Sequence, residues 1–333
     1  MEGRVTIIGL GCVGCSIGLA LREKEPDLEI MGHDVDGGNA RLAKRMGAVS
    51  KTHWNLPAAV EGAGLVILAL PIQAVKDTLE VLGEHLADGA TVTDTASLKT
   101  PVIEWAEESL PDRVHFISGV PVPGPMVEGG TDLVGPESAR ADLFDGGVYC
   151  ITPSPRTHKE ASSTLVELAE ALGSSPLFID PAEHDGLYAG VGDLASVISL
   201  ALIRATLGTP GWAEMRKVAG VDFVAMTSTA AINPEDRLGT LLLNRENLLR
   251  RLDMFMEELR SLRGWLREPD RESLEESFAQ AAEDRARWIN ERIEGTWEEM
   301  PGGTEITGPG EAISRMLVGN LFRRRPIIDD EEE

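Results

Sequence analysis

The sequence predicts two domains in series: an α/β domain with a mainly parallel sheet, then an all-α domain. Two observations lead there. Short, continuously apolar runs alternate with helical stretches as far as residue 180, the rhythm of βαβ units under a sheet covered on both faces. From Pro181 onward strand signals stop and helical periodicity takes over. A chain of 333 residues, 42% of them hydrophobic, is long and apolar enough for about two such cores.

The elements read in order. Residues 5–8 form a buried strand, and 16–24 a helix with Ile17, Leu19, Ala20 and Leu21 on its apolar side. A second strand spans 28–34 and a second helix 40–46. The apolar run 65–70 is a strand stopped by Pro71, and 74–86 is helical. Strands at 90–94 and 114–118 flank a helix at 101–109. Residues 120–136, rich in Pro and Gly, break the rhythm and read as a functional loop. Late strands at 147–152 and 177–180 flank a helix at 159–172. Helical periodicity then covers 181–206, 212–229, 235–267 and 271–294. The domains are therefore expected at 1–180 and 181–298. Residues 299–333 are too few for another domain of about 50 residues and read as a mobile tail, with a short helix near 312–321.

Composition excludes several functions. Lys and Arg number 31 against 55 Asp and Glu, a net charge of −24, so the chain repels nucleic-acid phosphates and anionic lipid. Three cysteines make no disulfide framework in a chain this long. The start enters a strand directly, with no secretory signal. The longest apolar stretch, 194–203, is short of the roughly 20 residues of a membrane span. The expectation is a cytoplasmic protein with neither nucleic acid nor membrane as partner, and with no metal site.

Gly9-Leu10-Gly11-Cys12-Val13-Gly14 is G-x-G-x-x-G, between a strand and a helix. The first glycine makes the tight turn. The second lets backbone approach a pyrophosphate, and the third lets helix and strand pack closely. The helix N-terminus then supplies positive potential for the anion. Asp34 follows Gly14 by 20 residues, where an acid hydrogen-bonds the ribose of NAD and repels the 2′-phosphate of NADP. This is a Rossmann-type dinucleotide site that prefers NAD. The expected cofactor contacts are Gly9, Leu10, Gly11, Cys12, Val13, Gly14, Asp34, Leu70, Pro71 and Thr95. Cys12 and Cys15 form C-x-x-C; they read as small apolar fillers, with a redox pair as the alternative.

Gly9 to Gly18 is similar to the cofactor loop of the prephenate dehydrogenase family of tyrosine biosynthesis. Further segments match in order. Asp94-Thr95-Ala96-Ser97-Leu98-Lys99 is similar to the family's Asp-x-x-Ser-Val-Lys. Ala141-Asp142-Leu143-Phe144 with Tyr149 to Pro153 is similar to its strand after the active-site loop. Glu183-His184-Asp185 opens the first long helix and Asn244-Arg245-Glu246 a later one. The resemblance spans roughly residues 4–267. It implies hydride transfer from prephenate or arogenate to the nicotinamide with loss of carbon dioxide, and a homodimer formed through the helical domain. It also implies a histidine that takes the hydroxyl proton and an arginine that holds a carboxylate.

The chain departs from the family at those substrate positions. The active-site loop, Gly-His-Pro-Met-Ala-Gly in the family, reads Gly119-Val120-Pro121-Val122-Pro123-Gly124. The family's Ser-His-Leu-Pro-His on the first long helix is Gly192-Asp193-Leu194-Ala195-Ser196. The substrate arginine falls on Ser228, counting back from Asn233-Pro234. The substrate pocket is therefore expected at Val120, Pro121, Gly124, Gly192 and Ser228.

Three residues are candidates for replacement chemistry. Ser97 offers a hydroxyl to a reacting oxygen, or else caps the helix before Pro101. Asp193 interrupts an apolar helix; it is a perturbed site acid, or a salt bridge to Arg216 or Lys217. His184 is a base, or a structural helix-start histidine. Two further functions stay open: a related dehydrogenase acting on a different small acid, and a non-catalytic NAD-binding regulator.

Overall fold

Six strands make one parallel sheet: β1 (Arg4–Ile8), β2 (Ile30–His33), β3 (Lys51–Thr52), β4 (Ala63–Leu68), β5 (Thr91–Asp94) and β6 (His115–Phe116). Their order is β3-β2-β1-β4-β5-β6. The winding direction reverses between β1 and β4, so a crevice opens at their carboxyl ends, where such sheets bind ligands. The computed structural model describes residues 3–125, 135–231 and 234–297. The middle of the expected Pro/Gly loop, 126–134, and the expected tail with its short helix lie outside the described residues.

The core follows the period-two alternation of strands. Val5, Ile7 and Ile67 pack on one side of the sheet with Ile17 and Leu21 of α1 (Cys12–Lys24). Ile8, Val66 and Leu68 pack on the other side. There they meet Val75 and Leu79 of α4 (Ile72–Leu82) and Val102 of α5 (Thr100–Ser109). Between these lie α2 (Gly37–Met46) and α3 (Leu56–Val60). The short β3 and α3 are absent from the sequence reading; two strand residues and one helical turn carry too little periodicity to register.

The expected strand at 114–118 is two strands. The chain leaves the first sheet after Phe116 and enters a second one at Ser118. This second sheet has the order β7 (Ser118–Pro121), β8 (Val148–Thr152), β9 (Ser175–Phe178), with α6 (Lys159–Ala171) between the last two. β7 runs antiparallel to β8, and β8 parallel to β9. Val120 and Pro121 are therefore strand residues, not loop.

Among the described residues only helices follow. α7 (Pro181–Tyr188) continues through a π-helical turn, Ala189–Asp193, into α8 (Leu194–Thr206). Then come α9 (Trp212–Met215), α10 (Val221–Thr227), α11 (Pro234–Leu243), α12 (Arg245–Arg267) and α13 (Arg271–Glu294). The expected helix at 212–229 is thus broken in two near Gly220, and that at 235–267 is broken at Asn244. The run Pro181–Thr206 is, by length and composition alone, apolar enough to cross a membrane, so counting only residues 194–203 understated it. Within one chain, 22% of its apolar window is buried.

Candidate active site

The glycine turn is built by sterics. β1 ends in Gly9, at φ +92°, where a Cβ would lie 2.2 Å from the Ala69 carbonyl oxygen. A Cβ on Gly14 would lie 1.9 Å from the Gly9 carbonyl oxygen. Gly11 differs: a Cβ there meets nothing within 4 Å. The first and third glycines are demanded by packing, while the second borders open space. α1 begins at Cys12 with no side-chain cap and no acid in its first turn, so its free N–H groups point outward. This is an anion cradle, and a dinucleotide pyrophosphate fits it.

Beside it lies a cleft of about 400 Å³ lined by Gly9, Gly11, Asp34, Leu70, Pro71 and Thr78, among others. Asp34 stands at its edge, half-buried. Its carboxylate accepts from the backbone N–H of Leu10 and of Asp36, both at 2.7 Å, and so ties the glycine turn to the end of β2. Cys12 and Val13 form the first turn of α1. Thr95 borders the same edge, its N–H bonded to the Leu68 carbonyl at 3.0 Å.

Cys12 and Cys15 are buried, and their thiols donate to the carbonyls of Ser138 and Leu10. Burial pushes both thiols up, Cys15 to about 12, helped by the negative charge of Asp34 and by Cys12. Burial outweighs any help from the helix N-terminus at both thiols, in keeping with the filler reading.

α4 and α5 also start at this edge, and neither carries a side-chain cap of its own. Both caps come from the helical domain. Asp185 on α7 accepts from the backbone N–H of Lys99 at 2.8 Å and of Thr100 at 3.0 Å. Asp236 on α11 accepts from the N–H of Ile72 at 3.0 Å. Ser97 is therefore not the cap of α5; its hydroxyl has no protein partner among the described residues.

A buried polar seam grows from these contacts. Lys99 is fully buried, and its Nζ donates to Asp94 Oδ2 at 2.7 Å and to the Gly119 carbonyl at 2.9 Å. Asp94 also accepts from the N–H of Ala96 and the Ser118 hydroxyl, so the ion pair has its remaining lone pairs satisfied. His184 Nδ1 lies 3.2 Å from Asp185 Oδ1, with its ring stacked near Tyr188. Asn244 Nδ2 donates to the Asp185 carbonyl at 3.0 Å and to Asp193 Oδ2 at 2.8 Å. Asp193 is thus paired with Asn244, not with Arg216 or Lys217; Lys217 pairs with Glu214 of α9.

The two acids of this seam titrate in opposite directions. Burial pushes Asp185 up, but its bonds from His184, Lys99 and Thr100 outweigh burial and hold it below its ordinary value. Burial also pushes Asp193 up, and there the Asn244 bond and the charge of Arg237 are insufficient to reverse it. Asp193 Oδ1 is buried without a partner among the described residues.

The expected substrate-pocket residues are scattered more widely. Val120 pairs with Cys150 in the second sheet and offers no proton acceptor. Pro121 is buried, and Gly124 fits where a Cβ would lie 2.0 Å from the Asp145 carbonyl oxygen. Arg292, from the end of α13, donates to the carbonyls of Pro123 and Gly124 at 3.0 and 3.2 Å. Gly192 accommodates the ring of Tyr188, 2.5 Å from where a Cβ would stand. The Ser228 hydroxyl donates to the Ala225 carbonyl at 2.8 Å, so it is spent within its own helix end. Asp236, Arg237, Asn244 as a seam residue, and Arg292 were missed by sequence reasoning; nothing local marks them, since their partners lie far along the chain.

The geometry agrees with the comparisons. Residues 17–176 match the nucleotide-binding domain model of prephenate dehydrogenase, and residues 180–280 match its dimerization domain model. The chain is 31% identical over 285 residues to a probable prephenate dehydrogenase of Streptomyces niveus, covering 81% of this chain and 73% of that one. It is 26% identical over 287 residues to the prephenate dehydrogenase of Bacillus subtilis, covering 86% and 76% respectively. Its fold superposes with TM-score 0.77, at 23% identity, on prephenate dehydrogenase from A. aeolicus solved with hydroxyphenyl propionate and NAD+, covering 86% of this chain and 98% of that one. Sheet order, glycine turn, seam and relatives converge: the chain belongs to the prephenate dehydrogenase family of NAD-dependent oxidoreductases.

Proposed function

We propose that this protein oxidises prephenate or arogenate with loss of carbon dioxide. The substrate gives up a hydride from its carbinol carbon and carbon dioxide from its ring carboxylate, and the ring becomes aromatic. Bound NAD supplies the hydride acceptor. The observation that carries this reading is the seam. Asp94 to Lys99, His184-Asp185 and Asn244, three segments that resemble the family's, meet in one buried network beside the cofactor cleft.

The chain's own residues take limited roles in the step. Ser97, half-buried in the turn between β5 and α5, keeps its hydroxyl free to hydrogen-bond the reacting oxygen. Val120 leaves the site without the family's base, a loss on the order of 10²–10⁴-fold in rate. His184 is committed to Asp185 and acts as a support rather than a base. Asp34 disfavours a 2′-phosphate, so NAD is preferred over NADP. The apolar surface of α8 and α12, including Leu200, Leu249, Met254 and Leu259, is exposed in one chain and supports a homodimer. We take 1–180 and 181–298 as the two units of this assembly.

The test is absorbance at the NADH band with purified protein, NAD and each acid in turn. Turnover establishes the reading, and Val120→His should then raise kcat by about tenfold or more. NAD binding without turnover of either acid favours the second reading, a binding protein, for which the missing base at Val120 is the specific support.

A further inference from the structure

Arg237 stands apart from the other arginines. Two arginines have a buried Nε without a partner among the described residues, Arg4 and Arg237. Arg4 is held by its Nη2, which donates to the carbonyls of Ala59 and Glu61. Arg237 has no hydrogen bond and no ion pair among the described residues. Several exposed guanidinium groups pair with acids: Arg140 with Asp142, Arg156 with Asp112, Arg260 with Glu257. In a chain with 55 acidic residues, a part-buried cation left unpaired is costly and calls for a reason.

Its position supplies one. The preceding residue, Asp236, is anchored on the N–H of Ile72, next to Leu70 and Pro71 of the cofactor cleft. Arg237, Thr240 and Asn244 are three and seven positions apart, so α11 turns them to one side. Thr240 and Asn244 are buried there, and Asn244 holds Asp193. Asp193 keeps Oδ1 buried and unpartnered. Arg237 acts on Asp193 electrostatically, yet the two do not close into an ion pair. Burial also raises the Asp193 carboxyl, so this neighbour resists carrying a competing negative charge.

We propose that Arg237 holds a carboxylate of the acid substrate. It thereby supplies the cationic contact whose expected place, Ser228, carries a hydroxyl already bonded within its helix. A guanidinium is the side chain suited to this, because its fork matches both carboxylate oxygens. This inference rests on the function proposed above.

Arg237→Gln and Arg237→Lys, made in the full chain, test it. NADH formation is followed with prephenate and with arogenate, NAD affinity by titration, and binding of 3-(4-hydroxyphenyl)propionate to the NAD-saturated protein by calorimetry. Expected for Arg237→Gln is a KM for the acid raised by about tenfold to a hundredfold. kcat should stay within about threefold and NAD affinity should not move. Propionate affinity falls in parallel, and Arg237→Lys recovers part of the loss. Wild-type KM and wild-type propionate affinity in Arg237→Gln overturn the inference while leaving the reaction standing. If the wild-type chain turns over neither acid, the proposed reaction fails and propionate decides alone. A loss confined to the variants then supports a carboxylate site, and equal affinity, or no binding to wild type, overturns it. Should Arg237→Gln not fold, as read by its melting curve, the Lys variant decides by the same comparison.

Discussion

Of the helices that begin at the carboxyl edge of the parallel sheet, α1, α4 and α5 lack a side-chain cap of their own, and they are finished differently. α4 and α5 have their free N–H groups met by carboxylates, Asp236 and Asp185, reaching over from the helical domain. Among the described residues α1 is met by no side-chain cap and no acid, and a glycine there borders open space. The physics of the three termini is the same, a partial positive charge and orphan donors. The lesson is one of allocation. Two termini are spent on joining the domains, and the third is kept for an anion from outside.

Breaking the strongest of these joints should have the largest effect. Asp185→Ala removes two charge-assisted caps and the acceptor for His184, and should lower unfolding free energy by on the order of 3–4 kcal/mol. Chemical denaturation measures it, and a loss near zero would mean that the seam does not hold the domains. Next comes the open terminus. Gly11→Val should weaken NAD by about a hundredfold, on the order of 2.8 kcal/mol, with the cofactor-free melting temperature unchanged. A parallel loss of stability would show that Gly11, like Gly9 and Gly14, serves packing. Asp236→Ala removes a single cap and should cost about 1 kcal/mol.

The smallest effect sharpens the comparison by sign. Asp185 is held low in the folded state, so its contribution is present above the ordinary carboxylate value and is lost as pH falls through its folded value. Asp193 is held high, so ionising it disfavours the fold, and that penalty grows as pH rises from about 4 through its folded value. Asp193→Asn should therefore be neutral or slightly stabilising at pH 7 and indistinguishable from wild type near pH 4. Melting temperatures at the two pH values check this, and a clear loss at neutral pH would show that Asp193 is ionised and paired.

The same contrast explains what could be read in the sequence. The glycine turn was legible because all its constraints lie within a few residues: a strand, three glycines and a helix. The seam was not. Its caps join residues 85, 86 and 164 positions apart, and no local pattern announces such a partner. Ser97 therefore read as a plausible cap for α5, and Asp193 as a mate for Arg216 or Lys217. The exchange of sheets at Ile117 was hidden for a related reason. The two short strands follow one another with a single residue between them, and only the pairing partners reveal that there are two. The break at Asn244 was hidden inside an unbroken helical period, because the side chain's partners across the fold, Asp185 and Asp193, lie far along the chain.

The bare N-terminus of α1 has a consequence for how the protein behaves on storage and in a cell. A terminus finished only by a solute leaves part of the fold's stability to concentration. Cofactor at a hundred times its dissociation constant adds about 2.7 kcal/mol to the native state, a large share of the margin by which a typical domain stays folded. The protein's lifetime should thus follow the dinucleotide pool, long when the pool is full and shorter when it is drained.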